Sequence, residues 1–150
     1  MVTKAVVEDL IAQRTWAVVG ASRDRKKFGN MVYRELKTKG YRLFPVNPNS
    51  QEIEGDLCYP SLKVLPEPVD AALIVTPPAQ TESIVRDAAE AGIRRVWMQQ
   101  GAESQAAVQF CQANGITVVH GECIMMFARD AGFGHRAHRW VWGVLGKLPK

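Results

Sequence analysis

Residues 20–30, Gly-Ala-Ser-Arg-Asp-Arg-Lys-Lys-Phe-Gly-Asn, carry the types that make an anion site. Gly20, Ala21 and Ser22 are small enough to let the backbone approach a ligand. Arg23, Arg25, Lys26 and Lys27 complement phosphate, and a helix predicted from Phe28 onward offers unpaired N–H groups at its start. The bland alternative is a strand-to-helix turn with a solvated basic face. A ligand is favoured because small and basic residues coincide where the predicted sheet reverses its strand order. Two familiar phosphate chemistries fit the spacing poorly. A dinucleotide fingerprint wants glycines at positions 20, 22 and 25, and this chain has Ser22 and Arg25. An acid should also end the second strand to hold a ribose hydroxyl, and Asn47-Pro48 stands there instead. No G-x-x-x-x-G-K-[ST] run occurs either.

The other reactive side chains are scattered. Cys58, Cys111 and Cys123 form no C-x-x-C pair, so reduced and mostly packed thiols are expected rather than a zinc site or dithiol centre. Among His120, His135 and His138 only the last two are close, and no carboxylate or thiolate lies at ligand spacing beside them, so no metal site is expected. His120 reads as a surface histidine rather than a general base. No catalytic residue is assigned.

The elements that must position the first loop follow from hydrophobic periodicity. Val6, Val7, Leu10 and Ile11 mark an N-terminal helix, and Thr15-Trp16-Ala17-Val18-Val19 a strand buried on both faces. Phe28, Met31, Val32 and Leu36 form a helical stripe that stops at Gly40. Residues 41–46 give a second strand weakened by Pro45, and Leu57-Cys58-Tyr59 a possible short third one. Strands at residues 71–75, 95–99 and 116–120 then alternate with helices ending at Gly92 and Gly115. This alternation predicts an α/β fold: a Rossmann-like, doubly wound, mostly parallel sheet of five to six strands with helices on both faces. The expected order, 3-2-1-4-5-6, puts the turns at Gly20 and Thr76 on either side of a crevice outside the carboxyl ends of the strands.

Length and composition agree with one folded domain. The chain has 150 residues, 47% apolar and 23% charged, which excludes disordered and fibrous classes. The net charge of +4 is local: residues 23–42 hold eight basic and two acidic side chains. No apolar stretch is long enough to span a bilayer and no signal core precedes Asp9, so a cytoplasmic protein without membrane contact is expected. Residues 124–150 read as a C-terminal helical extension. There Phe133, His135, Arg136, His138, Arg139, Trp140 and Trp142 mix cations with aromatics, and Val141, Val144, Leu145 and Leu148 make a helical stripe. A nucleic-acid surface fits this mixture. A docking helix or homodimer contact fits it better, and no nucleic-acid partner is expected.

Five blocks in order carry a resemblance. Gly20-Ala21-Ser22 with Lys27-Phe28-Gly29, Pro45-Val46-Asn47-Pro48, Ile74-Val75-Thr76-Pro77-Pro78, residues 97–102 (Trp-Met-Gln-Gln-Gly-Ala) and residues 122–126 (Glu-Cys-Ile-Met-Met) resemble the small stand-alone CoA-binding proteins. The chain is also similar to the CoA-binding domain of the succinyl-CoA synthetase α subunit and of ADP-forming acyl-CoA synthetases. The resemblance implies that Gly20, Ala21, Ser22 and Arg25, with Lys27 nearby, hold the diphosphate of CoA. It further implies that Asn47, Pro48, Val75, Thr76 and Pro77 line the nucleotide and the start of the pantetheine arm. The synthetase pattern has a lysine where this chain has Ser50, so the phosphate charge falls to Arg23, Arg25, Lys26 or Lys27. The phosphorylated histidine and the further domains of those ligases have no counterpart in these 150 residues. The expectation is therefore a non-catalytic carrier or sensor of CoA or acyl-CoA, with a nicotinamide-dinucleotide oxidoreductase as the alternative. Cys123, just past the last strand, is either a packed thiol or a partner for the pantetheine sulfur.

Overall fold

The computed structural model describes residues 2–128. The expectations placed on residues 129–150, an extension helix, a dimer contact and a nucleic-acid surface, lie outside the described residues. Helix α1 (Lys4–Ile11) starts at Thr3, whose hydroxyl accepts from the Val6 N–H at 3.2 Å, and it buries Val7, Leu10 and Ile11. Strand β1 (Thr15–Val19) follows, then α2 (Phe28–Thr38), β2 (Arg42–Val46), β3 (Glu52–Ile53), β4 (Asp56–Leu57) and β5 (Ala71–Ile74). Helix α3 (Pro78–Glu90), β6 (Arg95–Gln99), α4 (Gln105–Ala113) and β7 (Thr117–Glu122) complete the alternation. Five strands form one parallel sheet in the order β2-β1-β5-β6-β7.

Strand periodicity divides the core between the two faces. Trp16 and Val18 of β1 join Leu73, Trp97 and Val119 beneath α1 and α2. Ala17 and Val19 turn the other way and join Ala72, Ile74, Val96 and Met98 beneath α3 and α4. The face under α1 and α2 takes both tryptophans of the described residues, Trp16 and Trp97, and each indole N–H has a backbone acceptor. Trp16 donates to Gln13 O at 2.9 Å and Trp97 to Glu122 O at 3.0 Å. Each fully buried side chain of this size contributes about 1.5–3 kcal/mol. The doubly wound α/β reading holds, with five strands.

Two local expectations are corrected. The third strand does not form over Leu57-Cys58-Tyr59. Residues 52–57 make a separate antiparallel hairpin, β3 with β4, and only one bridge, Val46 with Tyr59, lies outside β2. Pro45 explains why. Its carbonyl faces outward and accepts the Tyr59 N–H at 3.0 Å, so its missing N–H also faces the outer edge, where a third strand would need a donor. The proline is tolerated in β2 for the same reason, because the side facing β1 keeps its full ladder. The second correction concerns α2. Val32 and Leu36 are buried together with Gly29 and Tyr33, but Phe28 and Met31 stand 48% and 46% exposed. The apolar stripe is therefore rotated toward Tyr33, a residue whose hydroxyl reaches the hairpin at Asp56.

Candidate functional site

The first loop is held to its neighbours by two asparagines. Asn30, fully buried on α2, accepts the Ser22 N–H on its Oδ1 at 2.8 Å and donates from Nδ2 to Ser22 O at 2.6 Å. Asn47, at the end of β2, donates from Nδ2 to Ala21 O at 3.0 Å, and its own Oδ1 accepts from Asn49 N–H. Ser22 Oγ accepts from the Asp24 N–H, and Asp24 Oδ1 accepts from the Lys26 N–H, which winds the basic residues into successive turns. Glycine is required at position 20, where φ is +117°. A Cβ there would lie 2.8 Å from the Val75 carbonyl carbon. That contact brings the loops after β1 and β5 against each other across the reversal in strand order.

A cleft of about 510 Å³ opens beside this contact. Of the ten site residues expected from the sequence, Gly20, Asn47, Pro48, Thr76 and Pro77 line it. Val75 packs beneath them against Gly20 and Gly29, and Ala21 is buried. Ser22 and Arg25 line a second depression of about 490 Å³ on the hairpin side, with Arg23 and Glu54. Lys27 lines neither and stands at the start of α2, which has no side-chain cap. Helix α3 likewise starts at Pro77 without one, whereas α1 and α4 are capped by Thr3 and Ser104. Of the two uncapped helices, α3 lines the cleft, through Ala79, Gln80, Ser83 and Ile84, while α2 begins at the end of the first loop; neither start has a side-chain cap for its first-turn N–H groups.

Hydrogen-bond direction at Thr76 is settled by its neighbours. Thr81 Oγ1 lies 2.6 Å from Ala102 O and 3.3 Å from Thr76 Oγ1. A carbonyl only accepts, so the single Thr81 proton goes to Ala102 and Thr76 must donate to Thr81. Toward the cleft, Thr76 therefore presents hydroxyl lone pairs as acceptors.

Cys123 lies on the turn after β7, its Sγ 2.9 Å from Gln99 Nε2, while Gln99 Oε1 accepts from the Ile124 N–H at 2.9 Å. It is half-buried and does not line the cleft. Cys58 and Cys111 are buried, and burial pushes the Cys111 thiol up to about 11. Among the described residues no cluster of His, Cys, Asp and Glu could hold a metal ion, and no helix is long and apolar enough to cross a membrane.

Sequence reasoning missed the residue that organises the first loop from the far side. The Glu54 carboxylate is 4% exposed and accepts from Asn30 Nδ2 at 2.9 Å and Arg34 at 2.8 Å, with Arg25 Nε at 3.3 Å. Burial pushes this carboxyl up, but the Asn30 amide and the Arg34 and Arg25 guanidiniums outweigh it and hold it below the usual range. The folded protein therefore favours the ionised form more than the unfolded chain does, where the ordinary value is 4.5. Its contribution to stability is complete above that value and is lost as pH falls through the lower folded one. The gap in melting temperature between the wild type and Glu54→Gln should be widest near neutrality and narrow as pH falls below 4.5. Glu122, which burial pushes up, works with the opposite sign in both proteins, so the difference between them is the quantity to follow. A gap independent of pH would show that Glu54 is not ionised in the fold.

A parallel sheet wound on both faces, with a cleft at the carboxyl ends of the strands on either side of the order reversal, defines a Rossmann-like α/β protein. The chain belongs to the CoA binding domain family, which matches residues 14–129. It is 38% identical over 81 residues to the α subunit of ADP-forming acetate–CoA ligase II from Pyrococcus furiosus, covering 53% of this chain and 18% of that subunit. The uncharacterized protein YneT of Bacillus subtilis is 28% identical over 81% of this chain and 91% of its own length. A conserved hypothetical protein from Pyrococcus furiosus superposes with a TM-score of 0.71 at 41% identity, over 74% of this chain and 96% of that one. The chain thus spans less than a fifth of the ligase subunit it matches and most of the two small proteins.

Proposed function

We propose that this protein binds CoA or an acyl-CoA in the 510 Å³ cleft, with the diphosphate on the first loop, and acts as a carrier or sensor rather than as a catalyst. The observation that carries the reading is the start of α2. Arg23, Arg25, Lys26 and Lys27 lead into the positive end of a helix that has no side-chain cap, and Asp24 and Glu54 offset only part of that charge, which leaves an attraction for an anion. Asn47, Pro48, Val75, Thr76 and Pro77 then flank the nucleotide and the start of the pantetheine arm, where the acceptor face of Thr76 suits an amide N–H, an amino group or a hydroxyl. Membership in the CoA binding domain family supports the choice of ligand. The carrier role draws on the lining of the cleft: among the described residues Asp87 is its one titratable side chain, and it pairs with Lys63 at 3.7 Å. The alternative, a nicotinamide dinucleotide, meets Asn47 where it needs an acid.

Thermal-shift titration with CoA, acetyl-CoA, NAD, NADP and ATP tests the reading. A ligand at 100 times its dissociation constant adds about 2.7 kcal/mol. For a chain of this size that raises the melting temperature by roughly 5–10 °C. CoA and acetyl-CoA should give this shift. A shift with NAD and none with CoA would replace the proposal by its alternative.

A further inference from the structure

The hairpin β3–β4 breaks a local rule at its tip. Glu54 and Gly55 form its two-residue turn with φ of +52° and +82°, the signs of a type I′ turn, and the first of these positions favours Asn, Asp or Gly. Among the described residues Glu54 is the one non-glycine at positive φ. Such strain persists where the side chain does something the favoured residues cannot. Here the side chain is long enough to reach the first loop, and its carboxylate fixes residue 25 twice. Arg25 Nε lies 3.3 Å from Glu54 Oε1, and Arg34 NH1 donates both to Glu54 Oε2 at 2.8 Å and to the Arg25 carbonyl at 3.0 Å. The Arg25 side chain is otherwise 74% exposed, so engaging Nε leaves its two terminal nitrogens as donors toward the depression beside Ser22. The same Oε2 also accepts from Asn30, which brackets Ser22.

We propose that Glu54 is a positioning residue of the ligand site: from the hairpin tip it sets the backbone and guanidinium of Arg25 to meet a diphosphate on the first loop. The proposal deepens the CoA reading and rests on it. Arg23, Arg25 and Arg34 outnumber Glu52 and Glu54 around the depression, so the local charge toward an anion stays positive. Holding a flexible arginine by one edge also lowers the ordering cost of binding, which is the gain expected of a preorganised site.

The test is a double-mutant cycle on the full chain with CoA as titrant, read by calorimetry: wild type, Arg25→Ala, Glu54→Asn and the double variant. Asparagine suits the turn, so the hairpin is eased while the carboxylate is removed. Each single change should weaken CoA binding about tenfold, the worth of one charge-assisted hydrogen bond. The double variant should lose about 10–20-fold, not the roughly 100-fold of independent effects, because Glu54 acts through Arg25. Amide exchange without ligand should quicken at residues 22–27 in Glu54→Asn while the amides of β1, β5 and β6 keep their protection. Wild-type affinity in Glu54→Asn, or effects that multiply in the double variant, would overturn the proposal. Exchange that quickens across the sheet would overturn it too, since the carboxylate would then be holding the fold. A wild-type protein that takes up no CoA would overturn the CoA reading beneath it, an outcome separate from all of these.

Discussion

Gly20→Ala should destabilise the protein by about 4 kcal/mol. The added methyl would sit 2.8 Å from the Val75 carbonyl carbon, 2.9 Å from Val75 Cγ2 and 3.0 Å from Thr76 N. Two of those three atoms are backbone, and Val75 cannot swing away because its N–H donates to Val19 O at 2.8 Å in the ladder beside β1. The residue also holds φ at +117°, where a side chain costs roughly 1–3 kcal/mol, and overpacking adds a similar amount. A loss of that size lowers the melting temperature by roughly 8–16 °C. Gly121→Ala is the control, with φ at +76° and, among the described residues, nothing within 4 Å of the added methyl. It should show the backbone part of the cost alone. Equal losses in the two variants would mean that the close approach of the first loop to Val75 contributes nothing.

The second large effect is on binding. Ser22→Glu should abolish measurable CoA binding, at least a 100-fold loss, while unfolding stays cooperative. The new carboxylate would stand beside the proposed diphosphate, and like charges brought together at a binding surface cost several kcal/mol. The fold gives up only the bond from the Asp24 N–H to Ser22 Oγ, worth about 1 kcal/mol, because Asn30 grips Ser22 through its backbone. Calorimetric titration beside a thermal melt separates the two quantities. A variant that binds CoA as the wild type does would remove the first loop from the site.

What the sequence made legible was whatever rests on period and on local chemistry. Strands buried on both faces, such as β1 and β5, stand out as short apolar runs, and the helices between them as stripes. Gly20 was readable because a glycine between a strand and a basic helix start has few other uses. The third strand was not readable, because its fate turns on which way the Pro45 carbonyl faces. Nor was the true stripe of α2: Tyr33 earns its burial from Asp56 in the hairpin, a contact 23 residues away, and Phe28 and Met31 are apolar without being core. Asn30 stood in view inside the basic loop, yet nothing local says that its amide will bracket Ser22. Glu54 carried one faint signal, an X-Gly pair between Ile53 and Leu57, which marks a hairpin turn but not the carboxylate's reach back to the loop.

The proline at the outer strand also bears on how this sheet meets other chains. A strand approaching β2 from outside would need an uninterrupted row of donors and acceptors, but Pro45 supplies no donor and Tyr59 already takes its carbonyl. Tyr59 O in turn takes the Asn47 N–H at 2.9 Å, closing the top of the same edge. Strand exchange and fibre growth are therefore blocked on the β2 side. The other margin of the sheet is β7, which carries no proline within Thr117–Glu122.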